Sequence, residues 1–329
     1  MTASVRPYRY GGLLLAGLVV CSGFAFSQAP STPTQAPPPT VKLSLLVTDE
    51  KNRSVEDVTK DEVQLIEDGQ PQVISYFDKD TRLAQYVIAV DSSGSFRGLL
   101  EPALNFVKLI IAGKKDDEQI QLIRFISSDK IERVIDYTSD RSKLIDSLKQ
   151  VELEQGQSAV VDAIYEAVRS VASHRRSESM RRVVIVISDG EDRASYYKTD
   201  ALVKLLREND VQVFVVGLVV NLEAERGFSR PSVRETSETL LKTVATESGG
   251  RAFFPRTHGD LVSTARDINQ HLQTSYVLGF QPGSVDKKGF RKISIKIAKR
   301  GSDDLKAITR AGYVVESRAA EKKEKNNRN

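Results

Sequence analysis

The stretch Val87–Arg97, VIAVDSSGSFR, sets four apolar residues directly before Asp91, Ser92, Ser93, Gly94 and Ser95. A continuous apolar run of this kind reads as a strand covered on both faces, the pattern of parallel sheets packed between helices. The hydroxyls and carboxylate at its end have two meanings. They form a turn that caps the following helix, or they are half of a cation site.

Working outward, strand and helix patterns alternate from Ala84 to residue 273. LLEPALNFVKLIIAG has helical spacing, QIQLIRFI reads as a second strand and IERVIDYT as a third at the sheet edge. RSKLIDSLKQ and AVVDAIYEAVRSVA read as helices, RRVVIVIS as a strand, DALVKLLREN as a helix and VQVFVVGLVV as a strand. SETLLKTVATES, RAFF and LVSTARDINQHL complete the series as helix, short strand and helix. Alternating helices and fully apolar strands predict an α/β domain over 84–273 with a doubly wound, mostly parallel, Rossmann-like sheet.

The flanks differ. VKLSLLVTDEKNRSV alternates apolar and polar residues, and EVQLIEDGQPQVISYF holds two short strands hinged on Asp68-Gly69, so 41–83 reads as a β segment. SYVLGFQPG, FRKISIKIA and AGYVV make 274–316 a second one. The two are expected to pair into a small β-sandwich-like module interrupted by the α/β domain; two separate β extensions are the alternative.

The ends are read as follows. Arg6 and Arg9 precede the apolar YGGLLLAGLVVCSGFAF, and Ala25 and Ser27 supply small residues at a cut before Gln28. Residues 1–27 are therefore expected to be a signal peptide, directing export to the periplasm or beyond the cell. The apolar run is shorter than the roughly 20 residues of a membrane span, so none is expected after cleavage. LVVC approaches a lipid-attachment motif at Cys21, but Val20 is large where that motif takes a small residue. Cys21 is the chain's one cysteine, and its loss on cleavage removes disulfide and thiolate chemistry. Residues 28–40, QAPSTPTQAPPPT, read as an extended Pro-rich linker, and 317–329 as a charged, disordered tail. Of the net charge of +4, Arg6 and Arg9 supply +2 and the terminal EKKEKNNRN another +2, leaving a neutral body that argues against nucleic-acid binding.

Candidate site residues fall where open parallel sheets bind ligands, beyond the carboxyl ends of strands. Asp91, Ser93 and Ser95 follow the first strand of the domain, Ser158 opens the helix in EQGQSAVVDA, and Asp189 follows VVIVIS in SDGED. All are oxygen donors, which suits a hard cation, Mg2+ or Mn2+. Neutral hydroxyls leave such an ion much of its charge, and a vacant position can take a carboxylate from another molecule. The three histidines are dispersed and lack zinc spacing. Catalysis is disfavoured: Ser93 stands where an aspartyl-phosphate enzyme needs a second acid, and neither a G-x-S-x-G elbow nor a lysine-bearing phosphate loop is present.

Together, DSSGS, GQSAVVDA and SDGED resemble the metal-ion-dependent adhesion site of von Willebrand factor type A domains. The resemblance covers 84–273. It implies that Asp91, Ser93 and Ser95 supply the Asp-x-Ser-x-Ser motif, that Ser158 takes the place of a threonine, and that Asp189 completes the set. Ser158 keeps the hydroxyl without the methyl that restrains a threonine, and Gln157 stands where many relatives have glycine. Asp162, one helical turn beyond Ser158, is expected to support the ligands or brace the loops, with a structural cap as the alternative. The segments LIEDGQPQVISYF and YVLGFQPG also resemble those of bacterial exported proteins carrying such a domain. The function implied is an exported, metal-dependent, adhesion-type module that captures an acidic side chain of a protein partner. A structural exported subunit with a vestigial metal site is the alternative, followed by a metal-dependent hydrolase. The polar stretch 221–235 reads as a partner-selecting loop, with Arg226, Phe228 and Arg230 as its candidates, or as a plain mobile loop. HRRSESMRR at 174–182 reads as a solvated helix end, and Glu191 and Asp192 as rim charges.

Overall fold

Fully apolar strands need cover on both faces, and the fold supplies it. The structure, a computed structural model, describes residues 41–174, 180–222, 231–283, 288–298 and 304–315. The expected signal peptide with Cys21, the linker, Arg226, Phe228, Arg230 and the tail lie outside the described residues.

The elements run β1 (Val41–Thr48), β2 (Val63–Glu67), β3 (Gln70–Gln72), β4 (Ile74–Lys79), β5 (Ala84–Asp91), α1 (Leu100–Gly113), β6 (Gln119–Ser127), β7 (Lys130–Thr138) and α2 (Arg141–Ser147). They continue with α3 (Val160–Ser173), β8 (Arg181–Ser188), α4 (Thr199–Glu208), β9 (Gln212–Gly217), α5 (Val233–Ser248), β10 (Ala252–Phe253) and α6 (His258–Thr274). β11 (Tyr276–Phe280), β12 (Gly289–Ile297), β13 (Lys306–Ile308) and β14 (Gly312–Val315) follow.

The central sheet has the order β10-β9-β8-β5-β6-β7, parallel except for β7, which runs antiparallel to β6 at the edge. Every residue of β5 is buried. Tyr86, Ile88 and Val90 pack with Phe106 and Ile110 of α1 and Ile268 of α6. Val87 and Ala89 pack with Ile164 and Val168 of α3, Leu202 of α4 and Leu241 of α5. Each large side chain so buried contributes about 1.5–3 kcal/mol. Because β5 lies between β8 and β6, the chain winds away from it in both directions. Its carboxyl end is therefore a topological switch point, where doubly wound sheets open a crevice. Asp91 stands there.

Two four-stranded antiparallel sheets flank this layer, β13-β1-β11-β4 and β14-β12-β2-β3. Leu43 opposes Leu278, and Leu65 opposes Ile295. Leu43, Leu45, Leu65, Leu278, Phe280 and Ile293 share one apolar core. β1 pairs with β11 and β13, and β2 with β12, so strands from both ends of the chain complete each sheet. A fragment of residues 41–83 is accordingly expected to stay unfolded by circular dichroism, having lost those partners; a cooperative melt of the isolated fragment contradicts this.

Two local expectations need correction. The polar stretch 221–235 is not loop to its end. Ser232 and Glu235 form a reciprocal capping box, and α5 starts at Val233. Nor is Arg181 part of a solvated helix end; as the pattern RRVVIVIS predicts, it belongs to a strand. It begins β8 and is buried, its guanidinium turned toward the α6–β11 junction, because Asp80, Gln212 and Ser275 receive it there.

Candidate functional site

Three loops meet at the carboxyl end of the sheet because backbone hydrogen bonds tie them together. The Ser92 amide donates to the Phe125 carbonyl at 2.9 Å, and Glu154 donates to the Ser92 carbonyl at 2.9 Å. Arg193 and Ala194 donate to the Ser158 carbonyl at 2.9 and 3.1 Å. Gly190 has φ of 77°, and a Cβ there would stand 2.6 Å from Leu241 Cδ1, so the turn after Asp189 takes glycine for two reasons.

The hydroxyls after β5 do not cap α1. That helix starts at Leu100 with no side-chain cap, and the 3-10 turn Gly94–Phe96 has none either. They turn to Asp91 instead. Ser93 donates to Asp91 Oδ1 through its hydroxyl at 2.7 Å and its amide at 3.0 Å. Ser158 Oγ donates to Asp91 Oδ2 at 3.0 Å, and Ser95 Oγ lies 3.2 Å from Ser93 Oγ. Asp189 accepts the Glu191 amide at 3.0 Å, and its carboxyl lies within reach of the Ser95 hydroxyl and the Asp91 charge. Asp91, Ser93, Ser95 and Ser158 are thus one hydrogen-bonded cluster with Asp189 beside it, all buried apart from Ser95.

Sequence reasoning overlooked Ser188. Its hydroxyl donates to Asp91 Oδ2 at 2.8 Å and accepts the Gly190 amide at 2.9 Å. The available signal was the polar residue that closes the apolar run Val183–Ile187. Asp162, also buried, accepts the amides of Tyr196 and Tyr197 at 2.7 and 2.8 Å. Asp192 is more than a rim charge, since it accepts the Val161 amide at 3.2 Å and the Ser195 hydroxyl at 2.5 Å, satisfying the start of α3 from another loop. Glu191 is paired with Arg193 at 2.6 Å.

Two carboxylates without a counter-charge make this cluster electrostatically unbalanced. Among the described residues, neither Asp91 nor Asp189 forms an ion pair. Burial raises the Asp91 carboxyl above its ordinary value, opposed by hydrogen bonds from Ser93, Ser188 and Ser158. Burial, and then the neighbouring Asp91 charge, push Asp189 up to about 6. Hydroxyl oxygens and two carboxylates that form no ion pair among the described residues suit a hard divalent ion. Among the described residues no group of three or more His, Cys, Asp or Glu is placed to hold a metal, so hydroxyls are integral to this donor set.

A stability prediction follows. With a folded pKa above the unfolded one, the metal-free protein loses stability as pH rises from the ordinary carboxylate value to about 6. The loss is on the order of 3 kcal/mol for a buried group shifted by roughly two units. Saturating Mg2+ is expected to raise Tm more at pH 7.5 than at pH 4.5, and Asp189→Asn to shrink that difference. Calorimetric scans with EDTA and with Mg2+ check it; an equal rise at both pH values refutes it.

The family model for the von Willebrand factor type A domain matches residues 87–271, more than half of the chain. The chain belongs to that family. The type A domain accounts for the alternation of helices and parallel strands, and its matched range contains all the clustered residues. Curated relatives include the ATP-dependent DNA helicase II subunit 2 of Aspergillus oryzae and that of Aspergillus sojae, each 25% identical over 114 residues. That alignment spans 34% of this chain and 15% of theirs, so only a small part of those proteins is matched. Among solved structures, an aerotolerance-related membrane protein from Bacteroides fragilis is 23% identical, with 57% of this chain and 98% of that chain covered and a TM-score of 0.45. A von Willebrand factor type A protein from Catenulispora acidiphila is 12% identical, with 85% and 75% covered and a TM-score of 0.47. Proximal thread matrix protein 1 from the mussel byssus, with a zinc-occupied MIDAS motif, is 19% identical, with 61% and 48% covered and a TM-score of 0.46. Among the described residues no helix is long and apolar enough to cross a membrane.

Proposed function

We propose that this chain is an exported, metal-dependent protein-binding module that captures an acidic side chain of its partner. The observation that carries the reading is the buried Asp91 carboxylate, which collects the hydroxyls of Ser93, Ser158 and Ser188 beside Asp189, with neither acid in an ion pair among the described residues. Asp91, Ser93, Ser95, Ser158 and Asp189 would hold Mg2+ or Mn2+, and Asp162 would hold the Tyr196–Tyr197 backbone behind them. When bound, the ion supplies a Lewis-acidic centre for an incoming carboxylate. The protein's own groups orient the site and exclude water from the face toward the sheet.

Export rests on residues 1–27, with the β segments carrying the type A domain outside the cytoplasm. The hydroxyl of Ser158 remains on Asp91 despite the missing threonine methyl, which favours a working site over a vestigial one. Calorimetric titration of Mg2+ and Mn2+, to millimolar concentration, into chelator-treated protein tests the reading. Saturable binding supports it, and a titration with no binding heat for either ion overturns it.

A further inference from the structure

A cleft of about 440 Å³ opens beside the cluster, between the β6–β7 hairpin, α3 and the loop that follows Asp189. We propose that it receives the guanidinium of an arginine on the protein partner. Three carboxylates, Asp129, Asp162 and Glu166, and one cation, Arg133, line it. Arg133 is neutralised by Asp136 at 3.1 Å, and Glu166 by Arg169 at 3.0 Å. Asp129 and Asp162 form no ion pair among the described residues, so the cleft carries uncompensated negative charge. Asp162 is buried, and its charge acts through a wall of low dielectric.

The aromatic lining narrows the choice of cation. Tyr196 is 79% exposed, yet its ring stands edge-on to Tyr197 with centroids 5.3 Å apart. Tyr197 in turn stacks on Tyr165 of α3 at 3.9 Å. The two loop amides are fixed on Asp162. An exposed ring held this firmly offers a ready face to a planar, weakly hydrated cation, and guanidinium both stacks and forks toward a carboxylate, whereas an ammonium ion does neither as well. A bare metal ion is a poorer occupant, because among the described residues no group of three acids is placed to hold one. Ile123 and Ile131 add apolar lining for the methylene stem.

The cleft shares the first turn of α3 and the 189–197 loop with the Asp91 cluster, so a partner presenting an acid and an arginine side by side can engage both. The identity of that partner rests on the protein-binding reading, while the preference for guanidinium does not. The test therefore runs without metal. N-acetyl-arginine amide, and N-acetyl-citrulline amide as its neutral isostere, are titrated into the 15N-labelled full chain in EDTA. The Asp129, Tyr196 and Tyr197 amide shifts are followed.

The arginine probe is expected to saturate and to bind about fivefold tighter than citrulline, the factor that ~1 kcal/mol of cation–π contact represents. Asp129→Asn and Tyr196→Ala, both at exposed positions, are each expected to lower its affinity by about the same factor. Asp91→Ala is expected to leave it unchanged. Equal binding of the two probes, or arginine binding indifferent to both cleft substitutions, overturns the inference. Failure here with Mg2+ binding intact removes the cleft alone. Loss of Mg2+ binding with arginine preference intact removes the metal reading alone.

Discussion

Asp91→Ala is expected to abolish saturable Mg2+ and Mn2+ binding while leaving the chain cooperatively folded. Asp91 is the one residue on which the hydroxyls of Ser93, Ser158 and Ser188 converge. Its removal takes away both a charge and the acceptor that aims those hydroxyls. Losing even a residue behind a metal ligand costs roughly 10–100-fold in affinity, so loss of a central carboxylate is expected to cost at least about 100-fold. The fold should survive because opposing effects meet at this position. Alanine leaves hydroxyl donors without their acceptor, at about 1–3 kcal/mol for each buried group left unsatisfied. It also removes a carboxylate whose ionised form burial disfavours in the metal-free protein. Asp91→Asn keeps the acceptor oxygen and the shape, and isolates the charge. Calorimetric metal titration beside a thermal melt reads both effects, and metal binding retained by Asp91→Ala rules out this cluster as the site.

The second large effect lies at the other end of the sheet. Arg181→Ala is expected to destabilise the chain by about 3–5 kcal/mol, the cost of breaking a buried ion pair from one side. Arg181 donates to the Leu272 carbonyl, to Gln212 Oε1 at 2.9 Å and to Ser275 Oγ at 3.2 Å, and its Nε lies 3.4 Å from Asp80 Oδ2. Asp80 joins β4 to β5, and Leu272 and Ser275 bracket the passage from α6 into β11. One guanidinium thus ties both chain crossings between the type A domain and the β sandwich. Asp80 keeps a second partner in Arg82, at 2.7 Å, so the Asp80→Ala/Arg181→Ala double variant should cost less than the two single changes added. Denaturant unfolding gives these values. A cost below about 1 kcal/mol for Arg181→Ala would place it among exposed pairs, contrary to its burial. Metal affinity should be unchanged, since Arg181 begins β8 and the candidate site lies past its end.

How far the chain can be read without its structure differs between elements for physical reasons. VIAV and the apolar runs inside RRVVIVIS and VQVFVVGLVV were legible as sheet because helices cover both faces of their inner positions, although the last strand ends at Gly217 and its LVV continues as a turn. The spacing DSSGS, GQSAVVDA and SDGED was legible as a site because each motif sits where a strand or loop must turn. The start of α5 was legible in principle, since Ser232 and Glu235 have the spacing of a capping box, but a polar composition drew attention to a loop instead.

Local pattern and spacing therefore determined the doubly wound domain, its flanking strands and the candidate oxygen donors, because each depends on periodicity or on a turn within a few residues. Only the tertiary structure decided the rest. Ser188 reaches Asp91 across 97 residues of chain, Asp192 satisfies the start of α3 from 31 residues away, and Arg181 bonds Ser275 across 94. Whether a serine, an aspartate or an arginine faces water or a buried partner depends on which distant loop the sheet brings beside it, and no local pattern carries that information.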